Sequence, residues 1–255
     1  MKIGLRVSLK LGMFNGDNLT EMIDQFVKFQ PCSFTYDVKT KPWDEKKHRK
    51  VIENYDGSRF LAISDTNRNS LSIGPANKRH AYLSFVINQE KNLFSPTDGE
   101  ITGLLKRLPG VISAYLFDEE YVYVQSQIFE NNLLGRAWPE EVLKAIRNTP
   151  FKIGVHGTKE YDVRFNPGRE ILMDHSWLMA AWKIWLAPPF FVLVPEEKIL
   201  SFPHAIEITK LAFDLVYIQL FERLEESYSP ESMFRQWKWQ EWLDFDALVE
   251  NQDSW

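Results

Sequence analysis

Apolar and polar residues alternate from the second residue on. In "KIGLRVSL" Ile3, Leu5, Val7 and Leu9 share one side of an extended segment, which predicts an opening strand. The period then lengthens. Leu19, Met22, Ile23 and Phe26 recur at helical spacing within 17–29, with Asp17 as N-cap and Gln30–Pro31 as the stop. Residues 36–50, densest in "KTKPWDEKKHRK", carry no apolar period and read either as a solvated loop or as an anion-binding patch. Short strands are expected at Phe60–Ile63, Ser70–Ile73 and Ala81–Asn88, between Asn, Gly and Pro turn signals.

The clearest helix signal is "SPTDGEITGLLKRLPG". Ser95 caps, Pro96 takes the first position, Asp98 completes a capping box, and Ile101, Leu104, Leu105 and Leu108 form the buried stripe. "VISAYLFDEEYVYVQ" then reads as a hairpin turning at Asp118–Glu120. A similar unit follows, with a helix opened by Trp138–Pro139 (Val142, Leu143 and Ile146 inward) and a hairpin in "FKIGVHGTKEYDVRF" turning at Gly157–Lys159. Residues 95–126 and 138–165 thus resemble a weak internal duplication. Further on, the pattern predicts a Trp-rich helix over Asp174–Leu186 and strands at Phe190–Val194 and within Asp214–Phe221. A final helix is capped by Ser229, with Pro230 at its first position and Tyr228 stapled onto Met233. The expectation is a single α+β domain over 1–255, with a mixed or largely antiparallel sheet, flanking helices and a Trp-rich C-terminal helix.

Charge changes this picture at one end. From Gln219 to Trp255 nine acids face three bases, a net −6 against −5 for the whole chain, so the residues before Gln219 sum to +1. Overall acidity speaks against a nucleic-acid partner, since phosphate needs a basic face. One cysteine, Cys32, allows no intramolecular disulfide and favours a reducing compartment, hence the cytoplasm. Lys2, Arg6 and Lys10 interrupt the first apolar run, which does not suit a signal peptide. Lys183 and Pro188–Pro189 likewise break "WLMAAWKIWLAPPFFVLV", so no membrane span is expected.

Chemistry is sparse. His48, His80, His156, His175 and His204 are scattered, without H-E-x-x-H or paired-cysteine zinc spacing, so no metal and no cofactor are expected. G-x-S-x-G is missing, and "NPGRE" and "SIGPAN" hold one glycine each, too few for a phosphate loop. No catalytic residues are assigned, and the rival reading is a small hydrolase using His156 or His175 with a nearby carboxylate. The triad Asp118, Glu119 and Glu120 reads as a solvated turn or as an acidic patch for a basic partner.

The tail poses a sharper question. With Met233 at 0° and about 100° per residue, Trp237 falls near 40° and Phe234 near 100°. Trp242, Trp239 and Leu243 fall near 180°, 240° and 280°. One face packs on the core. The other is either covered by "FDALVENQDSW" folding back or is a binding surface, with Trp239 and Trp242 rimmed by Glu241, Asp244 and Asp246. A structural adaptor would carry such a tail as well.

From "VLVPEEKILSFPHAIEI" through "VYIQLFE" to "QWKWQEWLDFDAL", roughly 190–248, the chain resembles the immunity proteins of bacterial polymorphic toxin and type VI secretion systems, most of all the immunity protein 52 family. That resemblance implies an inhibitor without catalytic residues. Its partner would be a cognate toxin whose nuclease domain presents a basic surface, occluded in the cytoplasm.

Overall fold

The computed structural model describes residues 2–88, 96–129, 148–154 and 157–251, together with 138, 140, 142 and 144. The alternation in the first residues builds β1 (Lys2–Lys10), whose Ile3, Leu5, Val7 and Leu9 all enter one core. β1 lies near the middle of a ten-stranded sheet, flanked by β6 (His80–Asn88) and β7 (Val111–Asp118). Beyond β6 follow β5 (Ser70–Pro75), β4 (Leu61–Ser64), β2 (Ser33–Tyr36) and the edge strand β3 (Lys39–Pro42). Beyond β7 follow β12 (Lys183–Leu186), β14 (Val216–Gln219) and the edge strand β13 (Glu207–Lys210). Every described pairing is antiparallel, and with its flanking helices the chain is α+β. Lys39, Lys41 and Pro42 blunt the β3 edge against further pairing.

Two cores sit on opposite faces of the sheet. The first is closed by α1 (Gly16–Phe26), α2 (Glu45–Glu53) and α3 (Asp98–Arg107), through Leu19, Met22, Ile52, Ile101, Leu104 and Leu105. The second lies over β7, β12 and β14. It is closed by α4 (Glu119–Gln125), α5 (Glu196–Leu200), α6 (Pro230–Leu243) and α7 (Phe245–Glu250). β7 is therefore buried on both faces and loses its polar alternation, as central strands do. A small hairpin, β10 (Glu170–Leu172) with β11 (Trp177–Met179), lies against β1 and β7. Trp177 N–H donates to Ser8 Oγ (3.2 Å), and Tyr115 O–H donates to the Trp177 carbonyl (2.7 Å).

Several expectations are corrected. Residues 36–50 are not a loop but β3 and α2, capped by Asp44, with His48 buried and stacked on Phe34 at 4.2 Å. The charges hide a helix because only His48 and Ile52 face inward. α1 is capped by Asn15 rather than Asp17, and α3 by Thr97, whose capping box uses Glu100; Ser95 lies outside the described residues. Asp174–Leu186 is not a helix: it makes β11 and β12, whose two-sided burial gives a continuous apolar run. Phe190–Val194 falls largely in a one-turn 3-10 helix, Pro188–Val192, because Pro188–Pro189 cannot donate to a ladder. The turn at Asp118–Glu120 does not exist: β7 runs straight into α4. The first supposed repeat is thus helix–strand–helix, whereas the second ends in the hairpin β8 (Phe151–Ile153)–β9 (Lys159–Tyr161), and the two do not match. Leu143, Ile146 and His156 lie outside the described residues.

Candidate functional site

α6 begins as its sequence demands, with Ser229 accepting from Ser232 N–H and Pro230 at the first position. Tyr228 turns edge-on to Tyr121 at 4.5 Å. The helix ends at Asp244, whose left-handed backbone (φ 60°) reverses the chain, and whose carboxylate caps α7 at Ala247 N–H. The reversal folds α7 onto the second core through Phe245 and Leu248.

The helix has one inner and one outer face. Trp239 is only 1% exposed and meets Phe202 edge-on at 5.1 Å, alongside buried Leu243. As a contact residue Trp239 is therefore corrected: it belongs to the core. Trp242 leans on Phe202 at 6.1 Å and donates its indole N–H to the Lys198 carbonyl (2.7 Å), keeping part of its ring at the surface. Facing outward are Phe234 (49% exposed), partly exposed Trp237, and Glu241. The Phe202–Ile206 segment runs alongside. His204 meets the Phe234 ring edge-on at 5.6 Å, and Arg235 donates to the His204 carbonyl (2.7 Å). Phe234 was not among the contacts expected from the sequence, but a signal was present. Charged Lys238 and Glu241 flank the Phe234–Trp237 side, whereas uncharged Gln236 and Gln240 flank Trp239 and Leu243.

Those glutamines fix the helix. Tyr121 O–H donates to Gln236 Oε1 (2.5 Å), and Gln240 Nε2 donates to the Pro167 carbonyl (2.5 Å). Asn166 Nδ2 in turn donates to the Gln125 carbonyl (2.8 Å), tying the 166–169 loop to α4. Buried amides so engaged orient a helix about its axis, because any rotation strands them.

The expected acids divide by role. Glu241 is exposed and pairs with Lys238 at 2.7 Å, a solvated contact worth little. Asp244 is a cap for two helices. Asp246 bonds Arg169 at 3.0 Å, and the Arg169 side chain is 4% exposed, so this carboxylate neutralises a buried cation. Asp118 caps α4 by accepting from Glu120 and Tyr121 N–H at 2.9 and 3.1 Å, while burial pushes its carboxyl up. Glu119 is half-buried beside Gly4 and Arg6; burial raises its carboxyl, opposed by the Arg6 charge. Arg6 itself pairs with Glu170, and its guanidinium stacks 4.6 Å from the Trp177 ring. Of the triad, Glu120 alone is exposed, 3.9 Å from Lys2. Asp118–Glu120 is therefore a helix start and not an exposed acidic patch, since acids suit a first turn.

His175 Nε2 lies 2.6 Å from Arg79 Nη1, which also stands 3.9 Å from the Asp174 carboxylate. The neighbouring Asp174 gives its backbone carbonyl to His80 Nδ1 at 3.1 Å. Among the described residues no three His, Cys, Asp or Glu side chains are placed to hold a metal ion, and no helix is long and apolar enough to cross a membrane. A cleft of about 450 Å³ is lined by Lys28, Cys32, Asp65, Asn67 and Asn69, with no histidine. Asp65 there is engaged by Asn67 and Asn69 N–H and by Asn69 Nδ2, as in an ordinary turn. No protein-family model matches the chain, and no curated protein is significantly similar to it.

Proposed function

We propose that this chain is an immunity protein: it binds a cognate type VI-secreted toxin in the cytoplasm and blocks its nuclease domain by occluding the surface that meets nucleic acid. One observation carries the reading. The C-terminal helix pair joins aromatic surface, exposed at Phe234 and partly exposed at Trp237 and Trp242, to the segment that holds the chain's excess acid. A nuclease must be basic where phosphate enters, so an acidic rim steers the two proteins together and aromatic anchors hold the complex. Occlusion is stoichiometric and requires complementarity alone, which suits a C-terminal region whose buried polar groups serve to hold α6 and α7 rigid.

The test is co-expression with the product of the gene beside this one, which the reading expects to be a toxin with a C-terminal nuclease domain. Survival of the cells, with the two chains co-purifying in equal amounts, is the expected result. Death of the cells with no complex recovered contradicts the reading. A hydrolase would instead show turnover lost in His175→Ala.

A further inference from the structure

We infer that the outward stripe of α6, centred on Phe234 and Trp237, is the surface that seats the partner, and that the partner is a protein offering an apolar recess ringed by lysine and arginine. The inference rests on the reading that the chain acts by binding a basic protein; it adds where and how.

Phe234 is the fifth residue of a 14-residue helix, on its outer face, and keeps 49% of its surface in water. It is held there: the His204 ring abuts its edge, and Arg235 locks the His204 backbone to the helix. Ile206, two residues beyond His204 in sequence, is 38% exposed. Rigid aromatic area on a fixed helix suits a hot spot, because little conformational freedom remains to be lost on binding.

The helix, its C-terminal cap and the 202–207 segment carry four exposed acids, Glu207, Glu231, Glu241 and Asp244, against two bases, Arg235 and Lys238, and the Lys238 ammonium lies 5.6 Å from the Phe234 ring. Arg235 and Lys238 are each held by an acid of the same helix, Glu231 at 2.8 Å and Glu241 at 2.7 Å. Such exposed pairs are weak, so an incoming base displaces Lys238 from Glu241 at small cost. The surplus of acid selects a basic rim on the partner. Trp239 and Asp246 contribute only indirectly, one as core and the other as the counter-charge of Arg169.

The test measures binding of the full chain to the catalytically inactivated nuclease domain of the neighbouring toxin. Phe234→Arg/Trp237→Ala is expected to raise Kd about 30-fold or more, with the thermal midpoint moving only a few degrees. Glu207→Lys/Glu241→Lys leaves the caps and the Arg169 lock intact and is expected to slow association about five-fold at low salt, the difference vanishing near 0.5 M salt. Should the aromatic variant lose its fold, the charge variant carries the test alone. Wild-type binding with both variants within two-fold of it overturns the surface while sparing the immunity reading; no wild-type binding at all overturns both. If light scattering shows a dimer that Phe234→Arg dissociates while toxin affinity holds, the stripe belongs to a second copy and the inference falls.

Discussion

Asp246 separates a stability role from a binding role, and its replacement is the most informative single substitution. In Asp246→Ala the Arg169 guanidinium, 4% exposed, keeps one described acceptor, the Val163 carbonyl at 3.3 Å from Nη1. Removing one member of a fully buried ion pair costs about 3–5 kcal/mol, chiefly because the remaining charge is stranded. Asp246 itself is 66% exposed, so water already screens the pair and partly replaces the carboxylate. The expected cost is therefore about 1–3 kcal/mol. Glu241→Ala is the matched control, since it breaks an exposed pair on the adjoining helix and is expected to cost about 0.5 kcal/mol or less. Urea unfolding followed by tryptophan fluorescence measures both. With a slope of about 3 kcal/mol per molar, the Asp246 variant should lose about 0.3–1 M in midpoint with the slope unchanged. Equal midpoints for the two variants would refute the argument and return Asp246 to the set of free surface acids.

Further outcomes follow from the same geometry. Trp239→Ala should cost about 3–5 kcal/mol by opening a cavity against Phe202 and Leu243, whereas Trp237→Ala, on the partly exposed side, should cost about 1 kcal/mol; chemical unfolding distinguishes them. Gly168→Ala places a methyl group inside the Tyr121 ring and should cost about 1–3 kcal/mol, read as a lowered midpoint. His80 is fully buried, and burial lowers its pKa below the ordinary 6.5, opposed by its bond to the Asp174 carbonyl. The unfolded chain then binds the extra proton first, so this group's contribution is complete above pH 6.5 and declines as the pH falls below it. Asp174, His175 and Arg79 surround it, with Lys10 paired across the strand, so the comparison is between wild type and His80→Asn, whose stability should fall less from pH 7 to 5.

How much was legible depended on how many faces of an element meet the core. β1 alternates because Gly4, Arg6 and Ser8 on its second face need not all be apolar, and its strand was evident from four residues. Capping chemistry located α6 to the residue through Ser229–Pro230 and ended α3 near Pro109. β11 and β12 failed because burial on both sides erases the period of two, leaving an apolar run that fits either element. Asp118–Glu120 failed for a different reason: acids at a helix start and acids at a turn look alike until the backbone N–H groups they cap are seen. At the candidate site the wheel found two apolar faces of α6 but chose the wrong one as outward. Large aromatics attract attention as anchors, yet the uncharged Gln236 and Gln240 were the better guide to the inner side. That Asp246 serves Arg169 depends on a contact between residues 77 positions apart, which no local pattern encodes.

The central claim is inhibition by stoichiometric binding, and its most direct measurement is a titration of purified chain into the purified nuclease domain of the neighbouring toxin, following cleavage of DNA. Binding predicts activity that falls linearly and reaches zero at one chain per nuclease. Undiminished cleavage at ten-fold excess of the chain would contradict it.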